Sequence, residues 1–156
     1  KAIITQNIDN LHQRAGSKNV IEYHGNGDRL VCPVCGKRFR ADEVEAKGEF
    51  PPRCDADGAI LKPDVVFFGE PIPIDALIAA QHHAQECDVM LVIGTSGMVQ
   101  PAAGLPYIAK NSGATVVEAN PRSTVLTSSV VDIHLRGSSS IILPILVEEV
   151  ARELEG

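Results

Sequence analysis

The sequence predicts an α/β fold: a Rossmann-like parallel sheet with helices, incomplete at its N-terminal side, plus a small zinc-ribbon-like module. Three observations carry this expectation. The run Asp88-Val89-Met90-Leu91-Val92-Ile93 is continuously apolar after its first residue and ends at Gly94, as a strand buried on both faces does. Strand patterns then alternate with helical ones, which implies a parallel sheet wound through crossovers. Residues 29–62 are rich in Cys, Pro, Gly and charge, with little hydrophobic periodicity, the composition of a module stapled by a metal. The predicted division is therefore one partial sheet domain, 1–28 with 63–156, and a module at 29–62.

The elements follow in chain order. Lys1 leads directly into Ala2-Ile3-Ile4, which reads as entry into a strand partway through a fold. A polar turn and helix start separate it from a second strand, Asn19 to Tyr23. Beyond the module, Gln81, His82, His83 and Gln85 lie on a helix, which leaves both histidines solvated. Ala102 to Lys110 is helical and stops at Asn111-Ser112-Gly113. Ala114 to Glu118 and Val130 to Leu135 are strands, the latter giving His134 a structural place. Ile141 to Leu154 closes the chain as an amphipathic helix, with Ser139 or Ser140 as its N-cap.

Composition narrows the function classes. The 156 residues suit a compact domain with a sizeable core, and 44% of them are hydrophobic. Tryptophan is absent and aromatics make up 4%, so that core is aliphatic. A net charge of −6 argues against a broad nucleic-acid surface, which needs clustered Lys and Arg. The apolar runs are too short to span a bilayer, so no membrane association is expected.

In a wound parallel sheet, ligands bind at the carboxyl ends of the strands. Three such ends carry small or polar residues: Thr5-Gln6-Asn7-Ile8-Asp9-Asn10, Gly94-Thr95-Ser96-Gly97, and Ala119-Asn120-Pro121-Arg122. Gly94 permits close backbone approach, Thr95 and Ser96 offer hydroxyls, and Asn120 offers an amide to a ribose. No complete G-x-G-x-x-G or P-loop is present, so these ends alone suggest nucleotide binding only loosely. His24 follows a strand and precedes Gly25-Asn26-Gly27. It reads either as a base presented to a cleft or as a turn histidine satisfying a backbone carbonyl.

The four cysteines are unevenly placed. Cys32-Pro33-Val34-Cys35 is a C-x-x-C knuckle, Cys54 lies nearby, and Cys87 reads as a core thiol at a strand entry. A local metal cluster in a cytoplasmic protein fits better than a secreted disulfide scaffold. A zinc ribbon would carry a fourth cysteine at 57, where this chain has Asp57. Asp57 or Asp55 as the fourth ligand, a water in its place, or a module without metal all stay open. The expected role is structural, because no His or Glu base sits in the knuckle.

Taken in order, these pieces resemble the sirtuin family. Thr5-Gln6-Asn7-Ile8-Asp9-Asn10-Leu11-His12-Gln13-Arg14-Ala15-Gly16 is similar to the family's T-Q-N-[IV]-D-x-L-H-x-x-A-G segment. Glu22-Tyr23-His24-Gly25 resembles the segment bearing its catalytic histidine, and the knuckle follows where the family places its zinc module. Lys62-Pro63-Asp64-Val65-Val66-Phe67-Phe68-Gly69-Glu70 matches an R-P-x-V-V-x-F-G-E stretch. Gly94-Thr95-Ser96 and Asn120-Pro121 complete the series, which covers essentially the whole chain.

The resemblance implies an NAD-dependent protein-lysine deacylase. NAD would lie between the sheet domain and the zinc module, with Gln6, Asn7 and Asp9 around nicotinamide and its ribose. The carbonyl oxygen of an acyl-lysine protein or peptide would attack the ribose carbon and release nicotinamide. His24, with Asn7 and Asp9 counted alongside it in the catalytic set, would then act as base toward an O-acyl-ADP-ribose. Val65, Val66, Phe67, Phe68, Gly69 and Glu70 would pair with the substrate peptide as an added strand. Gly94, Thr95, Ser96 and Asn120 would hold the adenosine half, with Ser138 and Ser139 near adenine. Zinc would sit on Cys32, Cys35, Cys54 and Asp57.

The family's Gly-Ala-Gly-x-Ser phosphate loop is not in the chain, so this chain by itself is expected to bind NAD poorly unless another chain supplies that part. One rival is a non-catalytic sirtuin-like fragment that binds partners, with homo-oligomers forming over an exposed sheet edge. Another is a zinc-ribbon interaction module fused to a generic nucleotide-binding domain.

Overall fold

The computed structural model describes residues 1–155. The chain divides into two compact units, Lys1–Ala80 and Gln81–Gly156.

In the first unit, β1 (Ile3–Thr5) pairs in parallel with β2 (Val20–Glu22) in the register Ile3↔Val20 to Thr5↔Glu22. Between them lies a single helical turn, α1 (Leu11–Arg14). It is preceded by Asn10 at φ +62, the one non-glycine residue with positive φ among the described residues. The Asp9 carboxylate accepts the Leu11 backbone N–H at 3.1 Å, which satisfies a donor at the start of the turn.

A second sheet follows, β3 (Gly25–Val31), β4 (Arg38–Arg40) and β5 (Lys62–Val65), antiparallel in the order β4-β3-β5. Its strands extend beyond the predicted 29–62 stretch on both sides. Alternation was too short to announce them: β4 has three residues and β5 carries Pro63. With α2 (Ala41–Glu45), these strands enclose a small core of Cys32, Val44, Cys54 and Leu61, against which Leu30, Phe39 and Ala59 pack. Two of its four central residues are candidate metal ligands, so the module's core and its metal cluster are one structure.

Gly25 is required where β3 meets β5. It sits at φ +82, and a Cβ there would lie 2.1 Å from the Asp64 carbonyl oxygen. Gly25→Ala must therefore part the two strands, and is expected to cost about 3 kcal/mol of stability. A thermal melt checks this; an unchanged midpoint would show that the strands are not pressed together here.

Helix α3 (Ile74–Gln85) carries His82 and His83 as predicted. The second unit holds a parallel sheet in the order β6-β7-β8, from β6 (Val89–Ile93), β7 (Thr115–Asn120) and β8 (Ile133–Arg136). Val92, Val116, Leu126 and Val130 form its aliphatic core. A 3-10 turn at Ala102–Gly104 and α4 (Leu105–Asn111) occupy the place of one predicted helix. β7 runs two residues further than predicted, so Asn120 belongs to the strand. Helix α5 (Ser139–Glu155) starts at Ser139, and neither Ser139 nor Ser140 precedes it. Ser138 stands before it, its carbonyl accepting the N–H groups of Ile141 and Ile142 at 3.0 and 2.9 Å. Cys87 is half-buried rather than a full core thiol; its Sγ reaches the Ala84 carbonyl at 3.4 Å. No described helix is long and apolar enough to cross a membrane.

Candidate functional site

His24 stands between β2 and β3. Its ring Nδ1 lies 3.1 Å from the Gln6 carbonyl oxygen. A carbonyl only accepts, so Nδ1 carries the proton and Nε2 is left as the basic nitrogen. Its backbone is gripped as well. The His24 carbonyl accepts the Val66 N–H at 3.0 Å, and the preceding Tyr23 N–H donates to Thr5 O at 3.0 Å. Tyr23 is fully buried, and burial pushes its phenol up from the ordinary value. Both readings of His24 thus meet in one residue: it satisfies a backbone carbonyl, and that bond selects which nitrogen can act as base.

The segment after β1 is bound to the segment around His24 at alternate residues. Gln6 O meets the His24 ring, Ile8 O accepts Gly27 N at 2.8 Å, and the Asn10 side chain meets Asn26 and Asp28. The residues between are Asn7 and Asp9, both exposed. Asn7 N–H donates to Thr5 Oγ1 at 3.1 Å. The structure therefore ties the Gln6–Asn10 segment, which carries Asn7 and Asp9, to the segment around His24.

β5 joins this cluster through Asp64. Its nearly buried carboxylate accepts Arg29 Nε at 3.0 Å and Arg38 Nε at 2.9 Å, while Arg29 also donates to Glu22 at 2.5 Å. Ion pairing to Glu22 and Asp64 holds the Arg29 guanidinium above its ordinary value despite its burial. Of the predicted peptide-binding stretch, Val65 ends β5 and Val66 bonds to His24. Phe67 to Glu70 form a turn in which Glu70 N–H donates to Phe67 O and Phe67 N–H donates to the Glu70 carboxylate. Lys62 pairs with that carboxylate at 2.7 Å and holds it below the usual carboxylate range, together with the Phe67 N–H. The turn leaves Phe67 and Phe68 exposed beside β5, an edge strand of its sheet.

The metal candidates converge. Cys32, Cys35, Cys54 and Asp57 place one ligand atom each within 4.8 Å of one another. Cys35 and Cys54 Sγ lie 3.6 Å apart, and Asp57 Oδ2 lies 3.3 Å from Cys32 Sγ. Such spacings suit four ligands around a zinc ion with Zn–S near ~2.3 Å. The N–H groups of Val34 and Cys35 point at Cys32 Sγ, each at 3.4 Å, as they would toward a thiolate. Asp57 joins the cluster, whereas Asp55 turns away to pair with Lys47 at 2.9 Å. With no cation, the Cys35 thiol is pushed up to about 12. The Lys37 backbone N–H lowers it, but Asp57, Cys32, Cys54 and burial outweigh that effect. A set of donors that crowds negative charge in this way is one that a divalent cation relieves.

In the second unit the remaining candidates follow β6, end β7, or lie between β8 and the start of α5. Gly94 is at φ +60 and exposed. Thr95 Oγ1 and Ser96 Oγ accept the N–H groups of Gly97 and Met98, which closes the turn. The Asn120 amide donates to Thr95 O at 2.9 Å, so it ties the two strand ends together. Ser138 Oγ is 2.8 Å from Ser140 Oγ, and Ser139 opens α5.

Sequence reasoning missed several residues that shape these sites. Glu118 is fully buried in β7 and accepts the hydroxyls of Thr124 and Thr127, fixing the loop after Asn120. Glu22, Asn26 and Asp64 stand out in the sequence only as parts of motifs. The one available cue was polar residues at positions the strand pattern reserves for apolar ones.

Comparison with known proteins agrees with this arrangement. The Sir2 family profile matches residues 1–101. An NAD-dependent protein deacylase of Pyrococcus furiosus is 49% identical over 156 residues, covering 97% of this chain and 62% of the relative. Among solved structures, a Sir2 homologue in complex with NAD superposes with a TM-score of 0.89 at 44% identity, covering 99% of this chain and 59% of that one. Sir2Af2 bound to a myristoylated histone peptide gives a TM-score of 0.84 at 45% identity, with coverages of 99% and 66%. The chain thus spans about three fifths of the length of the curated relatives it matches.

Proposed function

From the premise that this chain belongs to the Sir2 family, we propose that the protein it forms part of removes acyl groups from protein lysines, with NAD as co-substrate. The observation that carries this reading is the Nδ1 bond of His24 to Gln6 O. It joins a base of defined tautomer to the loop that presents Asn7 and Asp9.

In this reading Gln6, Asn7 and Asp9 serve the nicotinamide and ribose half of NAD. Gly94, Thr95, Ser96, Asn120, Ser138 and Ser139 serve the adenosine half. The acyl oxygen of the substrate displaces nicotinamide from the ribose carbon. His24 would then take the proton of a ribose hydroxyl on Nε2, so that the hydroxyl oxygen can attack the former acyl carbon. That proton passes to the departing lysine nitrogen, and water adds to the remaining carbon to give the O-acyl-ADP-ribose. The Gln6 carbonyl steadies the imidazolium so formed, because the donating Nδ1–H becomes more acidic as the ring gains charge. The chain's own residues contribute position and the movement of a proton through His24; no protein nucleophile is needed.

The peptide is held at β5 and the turn after it, from Val65 to Glu70, where an edge strand and two exposed phenylalanines suit backbone pairing with an apolar contact. Zinc on Cys32, Cys35, Cys54 and Asp57 supplies structural closure to the module. Residues 1–28 with 63–156 would form the NAD-binding domain and 29–62 the module set into it. A cytoplasmic location is part of this reading, supported by three of the four cysteines gathering as metal ligands.

The test is direct. The full-length protein is incubated with NAD and an acetyl-lysine peptide, and nicotinamide release is followed. Release that requires the acylated peptide is the expected result. No release, or release indifferent to the peptide, would defeat the reading.

A further inference from the structure

Asn26, two residues after His24, is buried at 4% exposure. Both of its N–H donors and its carbonyl oxygen are engaged. Nδ2 donates to Asn10 Oδ1 at 3.1 Å and to Glu22 Oε1 at 2.5 Å, and Oδ1 accepts the Asp28 N–H at 2.9 Å. A flipped amide would set oxygen against the Glu22 carboxylate, so the network permits one orientation.

These partners decide what the bond does. Glu22 ends β2, two residues before His24, and also accepts Gln13 Nε2 at 2.8 Å and Arg29. Asn10 ends the loop that carries Asn7 and Asp9, and its left-handed backbone is costly for a residue with a Cβ. Asn10 Nδ2 in turn donates to Asp28 Oδ2 at 2.9 Å. The Asn26 amide is thus the buried link between the far end of the loop and the strand segment that bears His24, beside the more exposed Asn10–Asp28 bond and the Gln13–Glu22 bond. Nearer β1 the loop meets the same segment through Ile8 O, which accepts the Gly27 N–H at 2.8 Å, and through the Gln6 carbonyl on the His24 ring. A loop loosened at Asn10 lets that carbonyl shift on the ring.

We propose that Asn26 is a positioning residue: by gripping Asn10 and Glu22 together, it keeps the Gln6 carbonyl on Nδ1 and so sets the tautomer and placement of His24. Its meaning for catalysis rests on the deacylase reading; its effect on the imidazole does not.

The experiment observes the imidazole itself, by nitrogen NMR of the histidine-labelled chain. In the wild type His24 is protonated at Nδ1. Asn26→Asp keeps the acceptor for Asp28 N–H, loses both donors, and sets a second carboxylate against Glu22. It is expected to raise the Nε2-protonated form and to speed exchange of the Nδ1 proton by roughly tenfold or more. Glu22→Gln combined with Asn26→Asp restores a donor–acceptor pair with the roles exchanged, and should return the signal toward wild type. Asn10→Gly tolerates the left-handed backbone while deleting the side chain, and should reproduce the Asn26→Asp change even if the latter unfolds. An unaltered His24 signal in Asn10→Gly, or in a folded Asn26→Asp chain, would overturn the proposal.

Kinetics of the full-length protein then separate this proposal from the reaction assigned. Both single variants should lower kcat for nicotinamide release by roughly tenfold, with KM for the peptide near that of wild type. A wild-type protein that releases no nicotinamide overturns the deacylase reading instead, and the NMR series still decides Asn26.

Discussion

Replacing His24 with alanine in the full-length protein is expected to lower peptide deacylation by about 10²- to 10⁴-fold, the span that a positioned general base contributes. The structure limits the alternative explanation, that the substitution unfolds the site. The ring makes one hydrogen bond, to Gln6 O, while the bonds that fix the local chain path belong to backbone groups. These are Val66 N–H to His24 O and Tyr23 N–H to Thr5 O, and both survive the truncation. The melting temperature should therefore stay close to wild type while turnover collapses. Wild-type deacylation by His24→Ala would remove the base from the mechanism.

The second large effect is on the metal. Structural zinc contributes about 10–16 kcal/mol to folding of small modules at neutral pH. Here the ligands supply half of the module's central core, since Cys32 and Cys54 are both buried within it. Cys54→Ala should abolish stoichiometric zinc in the purified protein and cost the module its structure, read as loss of dispersed signals from β3, β4 and α2. Chelation of the wild-type protein should do the same. Asp57→Ala should weaken binding less, because Asp57 is exposed and water can take its place. Full zinc content in Cys54→Ala, or signals indifferent to chelator, would show that the module folds on its hydrophobic contacts alone.

Legibility differed between the two units for physical reasons. In the second, Val89 to Ile93 is an unbroken apolar run and Thr115 to Ala119 is broken only by Glu118, which is enough to announce strands of a parallel sheet. The expectation that the first of them is buried on both faces is corrected, because Val89, Leu91 and Ile93 are exposed and only Val92 is buried. In the module, strands of three and four residues with arginines and a proline carry no such period. Their fold is paid for by cysteines, whose spacing was readable although the strands were not. The polar ties were hidden further still. Asn26 bonds to Asn10 and Glu22, sixteen and four residues away, and Asp64 to Arg29 and Arg38, thirty-five and twenty-six away. Nothing local marks such pairs.

By itself the sequence determined the alternation of elements, the ordered motifs around Gln6, Asn7, Asp9 and His24, and the Cys32–Cys35–Cys54 ligand set. These depend on residue type and local spacing, which one chain displays. Only the tertiary structure decided that Asp57 rather than Asp55 completes the cluster, that Asn120 ties its strand to Thr95, and that His24 is protonated on Nδ1. Each of those outcomes turns on which distant backbone or side-chain group arrives within about 3 Å of a polar atom. That is a property of packing, set by strands such as β3 and β5 closing on each other around Gly25.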